Sequence, residues 1–248
     1  MSIGNNQDLA GLKEVGRIVH LALVAMSSMA CPGISTQELA AVGGQVMRRH
    51  GARSAPALVY GFPGDVLISL NDEAVHGIPS ALRKIQPGDL VKLDVTFEKD
   101  GYMADAAITV PVEPVSEPAR RLALCAESAF HKAMQFARAN CRIYEIGRAI
   151  EREVLASGFR VIRELSGHGI GRTIHEPPRV PNFDDVTAIQ RLRAGQVITV
   201  EPIVTMGSGV AEDAGDGWTM KTADGCLSAH YEHTLVITQA EPILLTSA

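Results

Sequence analysis

Apolar residues recur at three- and four-residue spacing from residue 8 to residue 30, at Leu9, Leu12, Val15, Ile18, Val19, Ala22 and Met26, and predict one long helix with a buried face. Cys31-Pro32-Gly33 breaks it. Ser35-Thr36-Gln37-Glu38 has the form of a capping box and opens a second helix that ends near Gly51. The period then shortens. Residues 66–70, 91–97 and 103–110 are short, rich in β-formers and bounded by turn residues, which predicts strands. Residues 117–139 return to helical spacing, and a further helix covers 145–157, closed by Gly158. Strand-like runs follow at 160–163, 197–204 and 231–237. The order helix, cysteine, helix, glycine, strands therefore occurs twice. It predicts two αβ halves, residues 8–112 and 117–245, related by a pseudo-twofold with a site between them. No Pro/Ser-rich or charged linker separates the halves, so residues 1–248 read as one domain.

Composition narrows the class. Hydrophobic residues at 46% and charged residues at 21% suit a soluble globular protein. A net charge of -5 offers no basic excess to neutralise phosphates, and 4% aromatic residues are few for base stacking, so no nucleic-acid binding is expected. Charges interrupt every apolar stretch before it could span a membrane. The first residues, Met-Ser-Ile-Gly-Asn-Asn-Gln-Asp, lack the basic start and apolar core of a signal peptide, so the expected location is cytoplasmic. Cys31, Cys125, Cys141 and Cys226 form no C-x-x-C pair, which argues for reduced structural thiols.

Acidic residues in apolar strands carry the chemistry. In Val91-Lys92-Leu93-Asp94-Val95-Thr96-Phe97 the apolar residues share one face, and Asp94 shares the other with Lys92 and Thr96. A turn around Asp100-Gly101 then sets Asp94 and Asp105 on the same face of a hairpin, opposite or diagonal, roughly 5–8 Å apart at Cβ. Two carboxylates so close repel unless one is protonated or a cation lies between them; two surface acids on an edge hairpin are the alternative. Glu201 and Glu232 are each a lone acid in an otherwise apolar β run, and an ionised carboxylate is costly to bury unpaired. Four such acids with few bases in the same segments point to cations. Oxygen-rich sites with little sulfur suit Mn²⁺, Fe²⁺ or Co²⁺, or Mg²⁺ completed by waters. Ser166-Gly167-His168-Gly169-Ile170-Gly171 adds a histidine among glycines, read either as a close approach to a ligand or as a flexible surface turn. His175 follows seven residues later, and His76 lies in a separate loop. His20, His50 and His131 fall in helical stretches and read as structural or surface. Strand parity turns His233 away from Glu232 and leaves His230 on the same side.

Taken together, His76-Gly77-Ile78-Pro79, Asp94-Val95-Thr96, Asp105, Gly167-His168-Gly169-Ile170-Gly171, Thr199-Val200-Glu201-Pro202 and Tyr231-Glu232-His233-Thr234 resemble, in order and spacing, the motifs of methionine aminopeptidases. The resemblance runs from about Leu9 to Leu245. It looks like the bacterial form of type I. Glu201 and Glu232 are 31 residues apart, which leaves no room for the type II helical insert, and no zinc-binding extension precedes the match.

The resemblance implies an α/β (α+β) pita-bread fold, with two pseudo-symmetric αβ halves around a central antiparallel sheet that cups a dinuclear metal site. It implies removal of N-terminal methionine before a small second residue. Two divalent ions, Mn²⁺, Fe²⁺ or Co²⁺ with Zn²⁺ as a further candidate, acidify the attacking water. Asp94 chelates one ion, His168 and Glu201 hold the other, and Asp105 and Glu232 bridge. Glu201 also handles the proton, His175 stabilises the oxyanion, and His76 hydrogen-bonds the peptide at the scissile bond. Phe62, Leu67 and Trp218 line the methionine pocket. The implied substrates are peptide and nascent-chain N-termini, with the ribosome as a candidate contact and a cytoplasmic monomer as the working form.

The chain departs from the family at Phe62, where many members have Tyr, at Leu67, where many have Cys, at His230 in place of Gln, and at Ala106 in place of Thr or Ser. None removes a ligand. The competing readings are a same-fold Xaa-Pro aminopeptidase or prolidase, which usually carries an extra N-terminal domain, a metal-free creatinase-like hydrolase, and a non-catalytic pita-bread binding module, which tends to lose ligands.

Overall fold

A two-residue turn organises the central sheet. In the computed structural model, which describes residues 1–247, Asp100 and Gly101 take φ values of 52° and 81°. Positive φ at both positions matches the twist of the flanking strands and closes a tight hairpin. The helices in chain order are α1 (Asn6–Met29), α2 (Thr36–Arg49), α3 (Ala55–Tyr60), α4 (Glu117–Met134) and α5 (Ile143–Ala156). The strands are β1 (Arg53–Ser54), β2 (Leu67–Leu70), β3 (Glu73–Val75), β4 (Leu90–Lys99), β5 (Tyr102–Pro111), β6 (Arg160–Val161), β7 (Ser166–Gly169), β8 (Glu176–Pro181), β9 (Val197–Val200), β10 (Ile203–Thr205), β11 (Ala211–Asp213), β12 (Met220–Thr222), β13 (Ser228–His230), β14 (Glu232–Val236) and β15 (Ile243–Leu244).

The helix starts are written locally. Asn5 accepts hydrogen bonds from the backbone N–H groups of Gln7 and Asp8 at the head of α1, and Ser35 with Glu38 forms the expected capping box on α2. Helix α4 stops at Met134, short of residue 139, and the chain beyond it is tied to the segment after β14: Ala139 N–H donates to the Thr238 carbonyl at 2.8 Å.

The nine-stranded sheet runs β1-β4-β5-β14-β9-β7-β8, with β2 also on β4 and β15 on β14, and every pairing in it is antiparallel. Two apolar clusters pack against it. Leu12, Ile18 and Met26 of α1 and Leu39 of α2 bury the Val91, Leu93, Val95, Phe97 face of β4. Leu122 and Phe130 of α4 and Ile146 and Ile150 of α5 bury Ile198, Val200 and Leu235. Each half of the chain thus supplies a helix pair for its own half of a shared sheet, in line with the expected repeat.

The run at 197–204 is two strands. Pro202 has no N–H for a ladder, so β9 ends at Val200. After the break β10 joins the three-stranded sheet β13-β10-β6. The expected strand at 160–163 shrinks to the two residues of β6. A third sheet, β11-β12-β3, carries too little alternation to be seen in the sequence.

His233 does point away from Glu232. Its Nδ1 lies 2.8 Å from Thr246 Oγ1 and its ring packs on Phe130 at 5.2 Å. Burial lowers its pKa to about 4, with His131 and His20 adding to the effect. The unfolded chain binds this proton near pH 6.5 and the folded chain only near 4, so stability is complete above 6.5 and falls as pH drops through that window. His233→Gln, which keeps a hydrogen-bonding side chain without titrating, is expected to remove about 1 kcal/mol per pH unit of that slope. Urea unfolding in chelator at pH 6.5, 5.5 and 4.5 measures it; parallel curves for the two proteins count against it.

Candidate active site

The sheet register brings five expected ligands onto one face. Asp94 pairs with Ala107 and Thr96 with Asp105, so the two aspartates are diagonal neighbours. Glu232 pairs with Ala107, Thr234 with Thr199, and Ile198 with Gly169. Because side chains alternate along each strand, Asp94, Asp105, Glu232, Thr199, Glu201 and His168 all project the same way from five adjacent strands. His168 is on β7, so the segment is not a surface turn. The glycines around it serve packing: a Cβ at Gly167 would stand 2.6 Å from the Thr199 carbonyl oxygen, and one at Gly169 would stand 2.4 Å from that of Pro177.

All four acids are buried. Burial raises the pKa of Asp94 well above the usual carboxylate range, and the charges of Asp105 and Glu201 add to it. Glu232 is raised well above that range by burial and then by Asp105, Glu201 and Asp94. Asp105 and Glu201 are raised by burial too, with His168 pulling each back. The Asp94 and Asp105 carboxyls, and those of Glu201 and Glu232, are near enough to bear on one another's protonation. Carboxyl pairs this close share protons unless a cation replaces them.

The donor set fits a divalent cation. Ligand atoms of Asp105, His168 and Glu232 all lie within 4.8 Å of one another. Asp105 Oδ1 and Glu232 Oε1 are buried with no hydrogen-bond partner among the described residues. Glu201 Oε2 lies 3.6 Å from His168 Nε2 and accepts from Thr199 Oγ1 at 2.9 Å, while the same Oγ1 accepts from the His168 backbone N–H at 3.1 Å. Asn182 donates to the Glu201 carbonyl at 2.9 Å. Sequence reasoning missed Thr199 and Asn182; Thr199 is legible by parity with Glu201, Asn182 by nothing local.

The cluster forms the floor of a cavity of about 560 Å³. Phe62, Leu67 and Trp218 line its wall, with Phe62 and Trp218 edge to face at 5.2 Å. His76 holds a left-handed φ of 63°, and its backbone carbonyl accepts from Thr219 Oγ1 at 3.4 Å. Gly77 follows it because a Cβ there would meet the Ile68 carbonyl at 2.2 Å. His175 meets His168 edge to face at 4.3 Å between ring centroids, and its Nδ1 lies 2.6 Å from the Tyr60 hydroxyl. Burial of the ring, and then His168 and His76, lowers its pKa to about 4, although the residue keeps part of its surface exposed. Tyr60 carries no sequence signal. His230 does share the Glu232 side: its Nε2 is 3.5 Å from Glu232 Oε2, and burial lowers its pKa to about 3. Lys92 is wholly buried as well. Its ammonium donates to the Asn71 carbonyl at 2.7 Å and approaches the Ser228 carbonyl and hydroxyl at 3.3 Å, and burial lowers its pKa to about 7.

The profile of metallopeptidase family M24 matches residues 10–239. The chain belongs to that family. This M24 chain is 44% identical over 247 residues to methionine aminopeptidase 2 of Bacillus subtilis, covering 99% of both, and 35% identical over 247 residues to the methionine aminopeptidase of Escherichia coli K12, covering 99% of itself and 94% of the relative. A crystal structure of methionine aminopeptidase from Thermotoga maritima superposes with a TM-score of 0.96 at 30% identity, covering all of both chains. The prolidase of Pyrococcus furiosus matches at 0.78 with 23% identity, covering 99% of this chain and 65% of that one, which establishes the shared pita-bread fold alone. No helix among the described residues is long and apolar enough to cross a membrane.

Burial and mutual repulsion favour the protonated form of these carboxyls, and a bound cation reverses that preference. Titration of the chelated protein with Mn²⁺ at pH 7 is therefore expected to release at least one proton per chain. Calorimetry in two buffers of different ionisation enthalpy reads this directly, and equal heats in both would contradict it.

Proposed function

We propose that the chain removes the N-terminal methionine from peptides and nascent proteins with a small second residue, by hydrolysis assisted by two divalent cations. The observation that carries this reading is the meeting of four buried carboxyls and His168 with the apolar Phe62, Leu67 and Trp218 wall in one cavity. Asp94 would hold one cation, His168 and Glu201 would hold the other, and Asp105 and Glu232 would serve both; Mn²⁺, Fe²⁺ and Co²⁺ suit the oxygen-rich set, and Zn²⁺ is a further candidate. When bound, the cations supply Lewis acidity that lowers the pKa of water and polarises the scissile carbonyl.

The residues divide the remaining work. Glu201, its Oε2 fixed by Thr199, takes a proton from the attacking water and returns it to the leaving amine. His175 donates to the oxygen that gains charge on the substrate carbonyl. His76 hydrogen-bonds the peptide at the scissile bond, held in place by the strained turn before Gly77. Phe62, Leu67 and Trp218 receive the methionine side chain. Both apolar clusters pack on one sheet, which supports a single metallopeptidase domain over residues 1–248. We read the working form as a cytoplasmic monomer, with the ribosome as a candidate contact.

Metal-stripped protein given Mn²⁺ or Co²⁺ is expected to cleave Met-Ala-Ser and to leave Met-Lys, formyl-methionine and Xaa-Pro peptides intact. Comparable rates on Met-Ala and Met-Lys peptides reject the assignment, and Xaa-Pro cleavage alone points to the proline-directed relatives.

The two histidines of one segment should separate in a metal titration. His168→Ala is expected to lose affinity for one cation, with rate partly restored by excess metal. His175→Ala should keep its metal content and lose roughly a hundredfold in kcat, about 3 kcal/mol, with no rescue by metal. Metal loss in His175→Ala alone would reverse the two roles.

A further inference from the structure

A neutral imidazole has one N–H, and the bond made by one ring nitrogen decides which nitrogen carries it. His175 can donate to a substrate oxygen from Nε2 only when that proton sits on Nε2, so Nδ1 must be an acceptor. The group at Nδ1 is the Tyr60 hydroxyl, 2.6 Å away. A phenol is a good donor, while its own oxygen, conjugated with the ring, is a weak acceptor, so the stronger arrangement is O–H to Nδ1. Tyr60 is about half exposed, and with an ordinary pKa near 10 its phenol is protonated at neutral pH. The ring planes of Tyr60 and His175 are inclined by 32° with centroids 5.7 Å apart, and the imidazole also meets His168 edge to face at 4.3 Å. The ring thus contacts both Tyr60 and His168.

Local structure delivers Tyr60 to this position. It is the last residue of α3, whose start is capped by the Ser54 hydroxyl on the Ala57 N–H. Gly61, at a left-handed φ of 76°, ends the helix there and sends the chain on to Phe62 in the cavity wall. The six-residue helix therefore sets the phenol and the apolar wall from one short segment.

The geometry points to Tyr60 as a positioning residue: its hydroxyl donates to His175 Nδ1, fixes the imidazole proton on Nε2 and aims that nitrogen at the substrate carbonyl. This rests on the reading of His175 as the donor to that carbonyl. Tyr60 touches no reacting atom and acts through His175.

The test pairs Tyr60→Phe with His175→Ala on a Met-Ala-Ser peptide, together with ¹⁵N spectra of the chelated, diamagnetic protein labelled at histidine. The parent is expected to show His175 with an unprotonated, hydrogen-bonded Nδ1 and a protonated Nε2. In Tyr60→Phe the Nδ1 resonance shifts, kcat falls roughly tenfold, KM changes by less than about twofold and the thermal midpoint holds. A proton on Nδ1 in the parent overturns the inference. Full kcat in Tyr60→Phe with a crippled His175→Ala also overturns it and leaves the His175 role standing. Full kcat in His175→Ala removes that role itself, and with it the need for Tyr60.

Discussion

Four carboxyl groups projecting from one face of one sheet, all withdrawn from water, cannot be ionised together unless positive charge lies among them. That constraint shapes the centre of this molecule. Asp94 and Asp105 stand diagonally across the β4–β5 hairpin, Glu232 joins them from β14, and Glu201 follows β9 where Pro202 breaks the ladder. A slip of one residue in any of these pairings would send an acid into an apolar cluster and an apolar side chain into the cavity. The clusters behind the sheet, Val91 to Phe97 against α1 and α2 and Ile198 to Val200 against α4 and α5, make that slip costly. Hydrophobic burial on one face thereby holds electrostatic strain on the other.

The strain is kept local by neutral groups that leave little freedom. Thr199 uses one hydroxyl to join the His168 backbone to the Glu201 carboxyl, and Asn182 holds the Glu201 carbonyl. Gly167 and Gly169 let β7 lie tight against β9 and β8, so His168 is presented by a stiff strand. Lys92, on the Asp94 face of β4, directs its ammonium at the Asn71 and Ser228 oxygens and so ties β4 to the turn before β3 and to β13. A site built this way is preorganised by packing and needs little reordering when a cation arrives.

Much of this is legible in the sequence because it is local. The Asp100-Gly101 turn, the alternation around Asp94 and the capping box at Ser35 each follow from a few neighbouring residues. Parity alone puts Asp94 with Asp105, sets His230 beside Glu232 and turns His233 away. What the chain cannot announce depends on distant partners. The β14–β9 and β9–β7 pairings that complete the face have no local signature. The segment that follows α4 is tied to Thr238, far along the chain. The glycines at 167 and 169 read as freedom in the sequence, yet in the sheet they mark contact. Tyr60 matters only through the distance from its hydroxyl to a histidine on another element, and no pattern in Val59-Tyr60-Gly61 carries that.

The histidines and carboxyls of the cavity are pushed in opposite senses by the same cause. Burial lowers His76, His175 and His230, the last two to about 4 and about 3, and raises Asp94, Asp105, Glu201 and Glu232. At neutral pH these three imidazoles are therefore neutral, each with one N–H to give and one lone pair to offer, while the carboxyls are the groups whose protons lie within reach. Groups whose environments drive their pKa values apart take different roles in acid–base chemistry. A neutral imidazole can donate to a developing oxyanion without first losing a proton to it. A carboxyl whose protonated form is favoured by burial can accept a proton and give it back. In the proposed mechanism proton traffic falls to Glu201 and hydrogen-bond donation to the carbonyl to His175, which is why we assign weight to the tautomer that Tyr60 favours.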